Sequence, residues 1–216
     1  MPYSMEFVKP AEIEAQSFAI IEAELRRRNV SCPANQMPIL QRVIHTSADF
    51  DYIQNLTFSE SAVEKALDAL RNGADIITDT NMALSGINKK SLHALGGEAH
   101  CFMSDPDVAA EAKRRGITRA MVSMEKAARL SSDNLIFAIG NAPTALIQLE
   151  QLIREHQLAP NLIIRVPVGF VNVVEAKELI MQTEVPYIVA RGRKGGSNIA
   201  AAICNALLYA PKRENV

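Results

Sequence analysis

From residue 74 onward the chain alternates short apolar runs with longer amphipathic stretches. The apolar runs cover residues 74–78, 98–103, 135–139, 162–166 and 187–190. Between and after them, apolar residues recur three and four apart over 88–95, 106–115, 119–130, 143–155, 173–181 and 198–208. Short continuous apolar runs predict strands buried on both faces, and the 3.6-residue period predicts helices. Strands alternating with helices imply βαβ units and a parallel sheet with helices on both sides. The expected fold is therefore α/β: a three-layer α/β/α arrangement around a five-stranded parallel sheet, for which a flavodoxin-like order 2-1-3-4-5 is suited.

The N-terminal third reads as helical. Lys9-Pro10 opens a helix of about 18 residues, with Pro10 near its first position. Ile13, Ile20 and Ile21 share one face of it, with Ser17 among them. A second helix starts near Ala34, with apolar Met37, Leu40 and Ile44, and gives way to polar residues just after His45. A capping box of Thr57 with Glu60 is expected to open a third helix, which Asn72-Gly73 ends. Farther on, Asp105-Pro106 starts a helix, Gly116 stops it and Thr118 caps the next. With no internal repeat, low-complexity tract or Gly/Ser linker, the expectation is one domain over 1–216: a helical part, 1–72, packed on a doubly wound part, 73–216.

At 216 residues such a chain buries roughly 70% of its unfolded surface. Its net charge of −1 gives no electrostatic case for nucleic acid. No apolar run approaches a membrane span, and no basic amphipathic helix suits a membrane surface. The start, Met1-Pro2-Tyr3-Ser4-Met5-Glu6, lacks the features of a secretory signal. Cys32, Cys101 and Cys204 are odd in number and far apart, which points to unpaired thiols and a cytoplasmic location.

Ligands of open parallel sheets bind beyond the carboxyl ends of the strands. The segments there are polar and glycine-rich: Thr78, Asp79 and Thr80 after the first strand, Gly140 and Asn141 after the third, Gly169 and Phe170 after the fourth. Pro143 opens a helix whose free N–H groups could receive a carboxylate, with Thr144 beside it. After the fifth strand comes Arg191-Gly192-Arg193-Lys194-Gly195-Gly196-Ser197. Three cations in four residues, then two glycines and a helix, suit an anion site, because guanidinium groups pair bidentately with carboxylates. A solvated basic turn capped by Ser197 is the plainer reading. The loop is neither a phosphate-binding GxxxxGK[ST] nor a dinucleotide GxGxxG fingerprint. Asp105 and Asp107 suit helix capping better than a metal, and His93, His100 and His156 show no ligand spacing. Arg42, Arg119 and Arg165 read as surface or helix-end charges, Arg42 being the most interesting because it neighbours His45.

His45 stands near a helix C-terminus, which favours an imidazolium by roughly 0.3–1 kcal/mol. Its position alone leaves a choice between a proton donor and a cap for the last carbonyls of its helix. The segment Arg42-Val43-Ile44-His45-Thr46-Ser47 resembles the active-site histidine segment of the precorrin-8X methylmutases, a family that includes the cobalt-precorrin-8 methylmutases of cobalamin biosynthesis. Asp75-Ile76-Ile77-Thr78-Asp79-Thr80-Asn81-Met82, Gly140-Asn141-Ala142-Pro143-Thr144-Ala145-Leu146, Pro167-Val168-Gly169-Phe170-Val171-Asn172 and the Arg191–Ser197 loop resemble the same family, in family order over nearly the whole chain.

The resemblance implies an isomerase that moves a methyl group from C-11 to C-12 of precorrin-8X, or its cobalt form, to give hydrogenobyrinic or cobyrinic acid. It implies His45 as proton donor, a tetrapyrrole substrate, no cofactor, and a homodimer with the site near the interface. Candidate substrate contacts are Ser17, Arg42 and Thr46 beside His45, and Thr78, Asp79, Thr80, Asn141, Thr144, Gly169, Phe170, Arg191, Arg193, Lys194 and Ser197 on the strand-end loops. Ser17, on an apolar helix face, would otherwise bond its own helix carbonyl. Two other classes stay open: a non-catalytic tetrapyrrole carrier and a nucleotide-dependent oxidoreductase, against which the missing fingerprint argues.

Overall fold

The computed structural model describes residues 9–130 and 132–213. The start of the chain, where no secretory signal is read, lies outside the described residues.

The sheet comprises β1 (Leu56–Phe58), β2 (Asp75–Thr78), β3 (Ala99–His100), β4 (Leu135–Ile139), β5 (Leu162–Arg165) and β6 (Tyr187–Ala190), in the order β1-β6-β5-β4-β2-β3. The neighbours from β3 to β6 are all parallel. β1 is antiparallel to β6, with Thr57 opposite Val189. The sheet is therefore six-stranded and mixed, where five parallel strands were expected. β1 is only three residues long, too short to register as a pattern. It covers the free edge of β6, which otherwise would offer unpaired N–H and C=O groups.

The expected capping box falls with it. Thr57 lies in β1, so it cannot cap a helix. Ser59 holds the β6 edge instead, its N–H donating to Tyr187 O at 3.0 Å and its Oγ accepting from Tyr187 N at 2.8 Å. Helix α4 (Ala62–Arg71) starts after Ser61, which is in the left-handed region and makes no side-chain cap.

β4 and β5 are buried at every position, as central strands covered on both sides must be. Successive side chains point to opposite faces, and β4 shows it. Ile136 and Ala138 join a core built with Ile21 and Leu25 of α1 (Pro10–Arg27), Val43 of α2 (Met37–Ser47), Val63 of α4 and Ile203 of α11 (Ser197–Arg213). Leu135, Phe137 and Ile139 join a second core with Met124 of α8 (Arg119–Ala127), Leu149 of α9 (Pro143–Arg154) and Ile180 of α10 (Val173–Ile180). These are the two helical layers. α7 (Pro106–Arg115) packs mainly on α8, through Val108, Ala112 and Val122.

The apolar face read on α1 is divided. Ile21 is buried, but Ile13 and Ile20 are 54% and 65% exposed. Asp105 precedes α7 but makes no side-chain cap; its carboxylate and that of Asp107 bind Lys126 Nζ at 2.8 and 2.7 Å. Arg165 is not a surface charge either. It is fully buried on β5, with its guanidinium 4.5 Å from the Tyr187 ring centroid and Nη2 donating to Val185 O at 3.4 Å. Burial lowers its pKa to about 9. No described helix is long and apolar enough to cross a membrane.

Candidate active site

α2 ends without help from His45. Ala48 adopts the left-handed conformation and its N–H donates to Ile44 O at 2.7 Å, while Ser47 Oγ donates to Val43 O at 2.8 Å. The carbonyls that a histidine could have capped are thus met by the backbone and a serine. The His45 ring instead turns to α1. Its Nδ1 lies 2.8 Å from Ser17 Oγ, and the ring stacks on Phe18 with centroids 5.0 Å apart and planes 20° apart. Ser17 therefore serves His45 rather than its own helix carbonyl. Nε2 has no protein partner among the described residues, and the residue is half-buried.

Arg42 does not meet the His45 ring directly. Its guanidinium lies 5.2 Å from the Phe18 centroid and 4.8 Å from that of Tyr209, and Nη2 donates to Glu14 Oε1 at 3.1 Å. It thus packs on the same aromatic ring that His45 stacks on. Thr46 is exposed at the end of the helix.

At the strand ends, Asp79 follows β2, next to β4, where the order of connections reverses and the crevice of an open α/β sheet is expected. Its fully buried carboxylate accepts from Gly140 N at 2.8 Å, Asn141 N at 2.8 Å and Ala142 N at 2.6 Å. Burial pushes its pKa up while these three donors pull against the shift. The N–H groups of the turn just before α9 are thus taken by the protein's own carboxylate, and in the first turn of α9 Ala145 N donates to Ala142 O at 3.0 Å. Thr78 is also inward: it is fully buried and its Oγ1 donates to Thr80 O and His100 O, both at 3.1 Å. Thr144 Oγ1 lies 2.9 Å from Thr118 Oγ1. Asn141 keeps its side chain at the exposed surface.

Thr80 caps α5 (Asn81–Gly86), accepting from Ala83 N at 3.1 Å, and its Oγ1 is 2.7 Å from Ser197 Oγ at the start of α11. Gly140 faces the same point, where a Cβ would overlap the Ser197 backbone. Gly196 N donates to Val166 O at 2.8 Å, and a Cβ on Gly195 would overlap that carbonyl. The glycines are thus needed for close approach of two loops. Through these contacts the loops after β2, β4, β5 and β6 interlock.

The three cations of the last loop differ in their partners. Arg191 pairs with Glu178 at 3.1 Å, and both are exposed. Lys194 Nζ bonds Asp49 Oδ2 at 2.6 Å and Asp51 Oδ2 at 2.5 Å, which ties the loop to the segment just past His45. That pairing raises the Lys194 pKa and lowers the Asp49 pKa. Arg193 has no carboxylate partner among the described residues. Its guanidinium lies 5.5 Å from the Phe170 ring centroid, and its carbonyl accepts from Gly169 N at 3.2 Å. Phe170 itself is 83% exposed.

Lys177 is the group that sequence reasoning missed. It is 1% exposed on α10, and Nζ donates to Gly192 O at 2.8 Å and Lys194 O at 2.9 Å. Burial lowers its pKa to about 8. Its signal was positional: Lys177 falls on the helical stripe of Val173, Ala176 and Ile180, all buried.

The cavity of about 580 Å³ lined by Ile153, Leu158, Leu179, Val185 and Pro186 lies elsewhere, at the amino ends of β5 and β6. On its wall Glu150 pairs with Arg154 at 3.1 Å, and the strand-end loops that carry the candidate residues lie at the opposite end of the sheet.

Comparison with known proteins shows the family. The family model for precorrin-8X methylmutase matches residues 12–210. The cobalt-precorrin-8 methylmutase of Salmonella typhimurium is 47% identical over 205 residues, covering 93% of this chain and 95% of its own. The precorrin-8X methylmutase of Pseudomonas aeruginosa is 38% identical, covering 90% and 93%. The crystal structure of the Thermus thermophilus precorrin-8X methylmutase superposes with a TM-score of 0.85 at 36% identity, over 95% of this chain and 100% of that one. Matched in sequence over nearly its whole length, and in fold with a solved member, this chain belongs to the precorrin-8X methylmutase family.

Proposed function

We propose that the chain moves the methyl group at C-11 of precorrin-8X, or of its cobalt form, to C-12, with His45 as the proton donor. The family assignment makes it a methylmutase, an isomerase of cobalamin biosynthesis. The observation that supports His45 is its geometry: one ring nitrogen held by Ser17, one face covered by Phe18, and Nε2 left open.

The shift breaks one C–C bond and forms another within the same molecule, so no methyl donor enters the balance. A proton or strong hydrogen bond at the conjugated ring system makes the receiving carbon electron-poor. His45 as imidazolium donates its Nδ1–H to Ser17 Oγ and presents Nε2–H to the macrocycle. After transfer it keeps the Nδ1–H bond to Ser17, and Nε2 is the base that takes the proton back, so product and substrate remain isomers. General acid help of this kind is typically worth ~10²–10⁴-fold; the remainder comes from holding the macrocycle in a reactive shape.

The carboxylate arms of such a substrate need cations. Arg193 is the best candidate, since Arg191 and Lys194 already have carboxylate partners. Phe170 and Val171, 83% and 77% exposed, offer an apolar surface beside it. We further propose a cytoplasmic homodimer, with exposed Ile13 and Ile20 of α1 among the residues a second copy would cover; sedimentation equilibrium tests it.

The test of the reaction is to mix the purified protein with precorrin-8X, and separately with its cobalt form, and follow the absorption spectrum. Conversion to the hydrogenobyrinic or cobyrinic acid chromophore supports an enzyme. Stoichiometric binding with an unchanged chromophore on both substrates would leave only a carrier.

A further inference from the structure

We propose that Lys177 is a positioning residue: its ammonium group holds the loop that carries Arg191, Arg193 and Lys194 in the shape that receives the carboxylates of the substrate. This rests on the reading of that loop as part of the substrate site.

The loop has little structure of its own. Between the end of β6 and the start of α11 it carries no helix or strand, and Gly192, Gly195 and Gly196 all have positive φ. Three glycines in six residues make a chain that loses much conformational freedom on ordering. It must therefore be held from outside. Contacts at its ends and along its length do so. Arg191 N donates to Asn55 O at 2.8 Å, Gly196 N donates to Val166 O at 2.8 Å, and Lys194 Nζ reaches Asp49 and Asp51. Those contacts hold the two ends and one side chain. The middle is held by Gly169 N, which donates to the Arg193 carbonyl at 3.2 Å, and by the side chain of Lys177, which takes the carbonyls of Gly192 and Lys194 on either side of it. Bonds to both flanking carbonyls fix the direction in which the Arg193 side chain leaves the loop.

Lys177 has no carboxylate partner among the described residues, and it is almost completely buried. A lysine in that position carries a desolvation cost, seen in its lowered pKa. Apolar residues occupy the rest of its stripe at Val173, Ala176 and Ile180, so packing alone did not require an amine here. What the amine supplies is several donors at the end of a long stem, enough for two backbone acceptors at once.

The experiment compares wild type with Lys177→Met and Lys177→Gln. Hydrogen exchange of the segment 191–196 is read first, since it needs no substrate. Turnover on the cobalt form of precorrin-8X is read next, and both variants are then combined with Arg193→Ala. We expect faster exchange in 191–196 for Lys177→Met, a KM raised about tenfold with kcat within about threefold, and a smaller effect for Lys177→Gln, which keeps one donor. In the Arg193→Ala background the effect of Lys177→Met on KM should largely vanish, because both changes act through one contact. If Lys177→Met does not fold, Lys177→Gln decides alone. Unchanged exchange in the loop overturns the proposal. So does faster exchange with unchanged KM, or effects that simply add. Should wild type itself fail to turn over substrate, the proposed reaction fails, and the exchange data still decide whether Lys177 holds the loop.

Discussion

Ser17 Oγ and His45 Nδ1 lie 2.8 Å apart, joining α1 to the last turn of α2 across 28 residues of sequence. Ser17 can accept from the ring nitrogen whenever it carries a proton, so the contact survives both states of the imidazole that acid catalysis needs. Losing one such bond costs about 1 kcal/mol. Ser17→Ala should therefore lower kcat about five- to tenfold and leave KM nearly unchanged, since orientation rather than substrate contact is lost. Steady-state kinetics checks this. A raised KM with intact kcat would mean that Ser17 touches substrate instead.

Arg191 and Arg193 are two residues apart but differently engaged. Arg191 shares an exposed ion pair with Glu178, whereas the Arg193 guanidinium lies by the Phe170 ring and has no carboxylate partner among the described residues. Arg193→Ala should weaken binding of the product, hydrogenobyrinic or cobyrinic acid, by about tenfold, as expected for a charge-assisted contact. Arg191→Ala should change it by less than about threefold, because exposed pairs contribute little. Titration at low and high salt measures both. Equal losses for the two variants would remove the distinction.

Asp79 binds the whole turn before α9. Removing its carboxylate leaves the N–H groups of Gly140, Asn141 and Ala142 without their acceptor. Each buried group left unpaired costs ~1–3 kcal/mol, so Asp79→Ala should lose at least about 3 kcal/mol in urea unfolding. Asp79→Asn retains one acceptor oxygen and should lose less. If both variants unfold at the wild-type midpoint, the carboxylate does not hold the turn.

The lowered pKa of Lys177 has a signed consequence for stability. Its value falls from 10.5 unfolded to about 8 folded. Between these values the unfolded chain binds the extra proton, so rising pH favours the folded state. The stability of wild type relative to Lys177→Gln should stay flat below pH 8. It should then rise toward pH 10, with a slope approaching about 1.4 kcal/mol per pH unit. Urea titrations of both proteins across that range test it. A difference that falls with pH would contradict the assignment.

Much of this architecture is legible in the residues themselves. The apolar runs around Ile76, Phe137, Ile163 and Ile188 declare buried parallel strands, because a strand covered on both faces has no polar alternation to disguise it. Pro10 and Gly116 mark helix ends through their backbone conformations, and Thr118 through a side-chain oxygen that caps the next helix. β1 was not legible: three residues carry too little period, and Thr57 with Glu60 imitates a helix cap. Strand-end positions are more legible in the sequence than the partners found there. Asp79, Arg191 and Lys194 stand at the strand ends as expected. That their charges are engaged by Gly140–Ala142 N–H groups, Glu178, Asp49 and Asp51 depends on contacts as far as 145 residues apart. Lys177 and Arg165 look like ordinary surface charges until the packing of α10 and β6 is known.

The central claim is that the open Nε2 of His45 delivers the proton for methyl migration. The direct measurement is single-turnover conversion of bound substrate by His45→Ala, followed by the chromophore change, with product affinity and thermal stability measured on the same sample. Product affinity within about threefold of wild type, with a rate at least about a hundredfold lower, is the predicted result. A rate within about threefold of wild type in a folded, substrate-saturated variant would contradict the account and place the proton donor elsewhere.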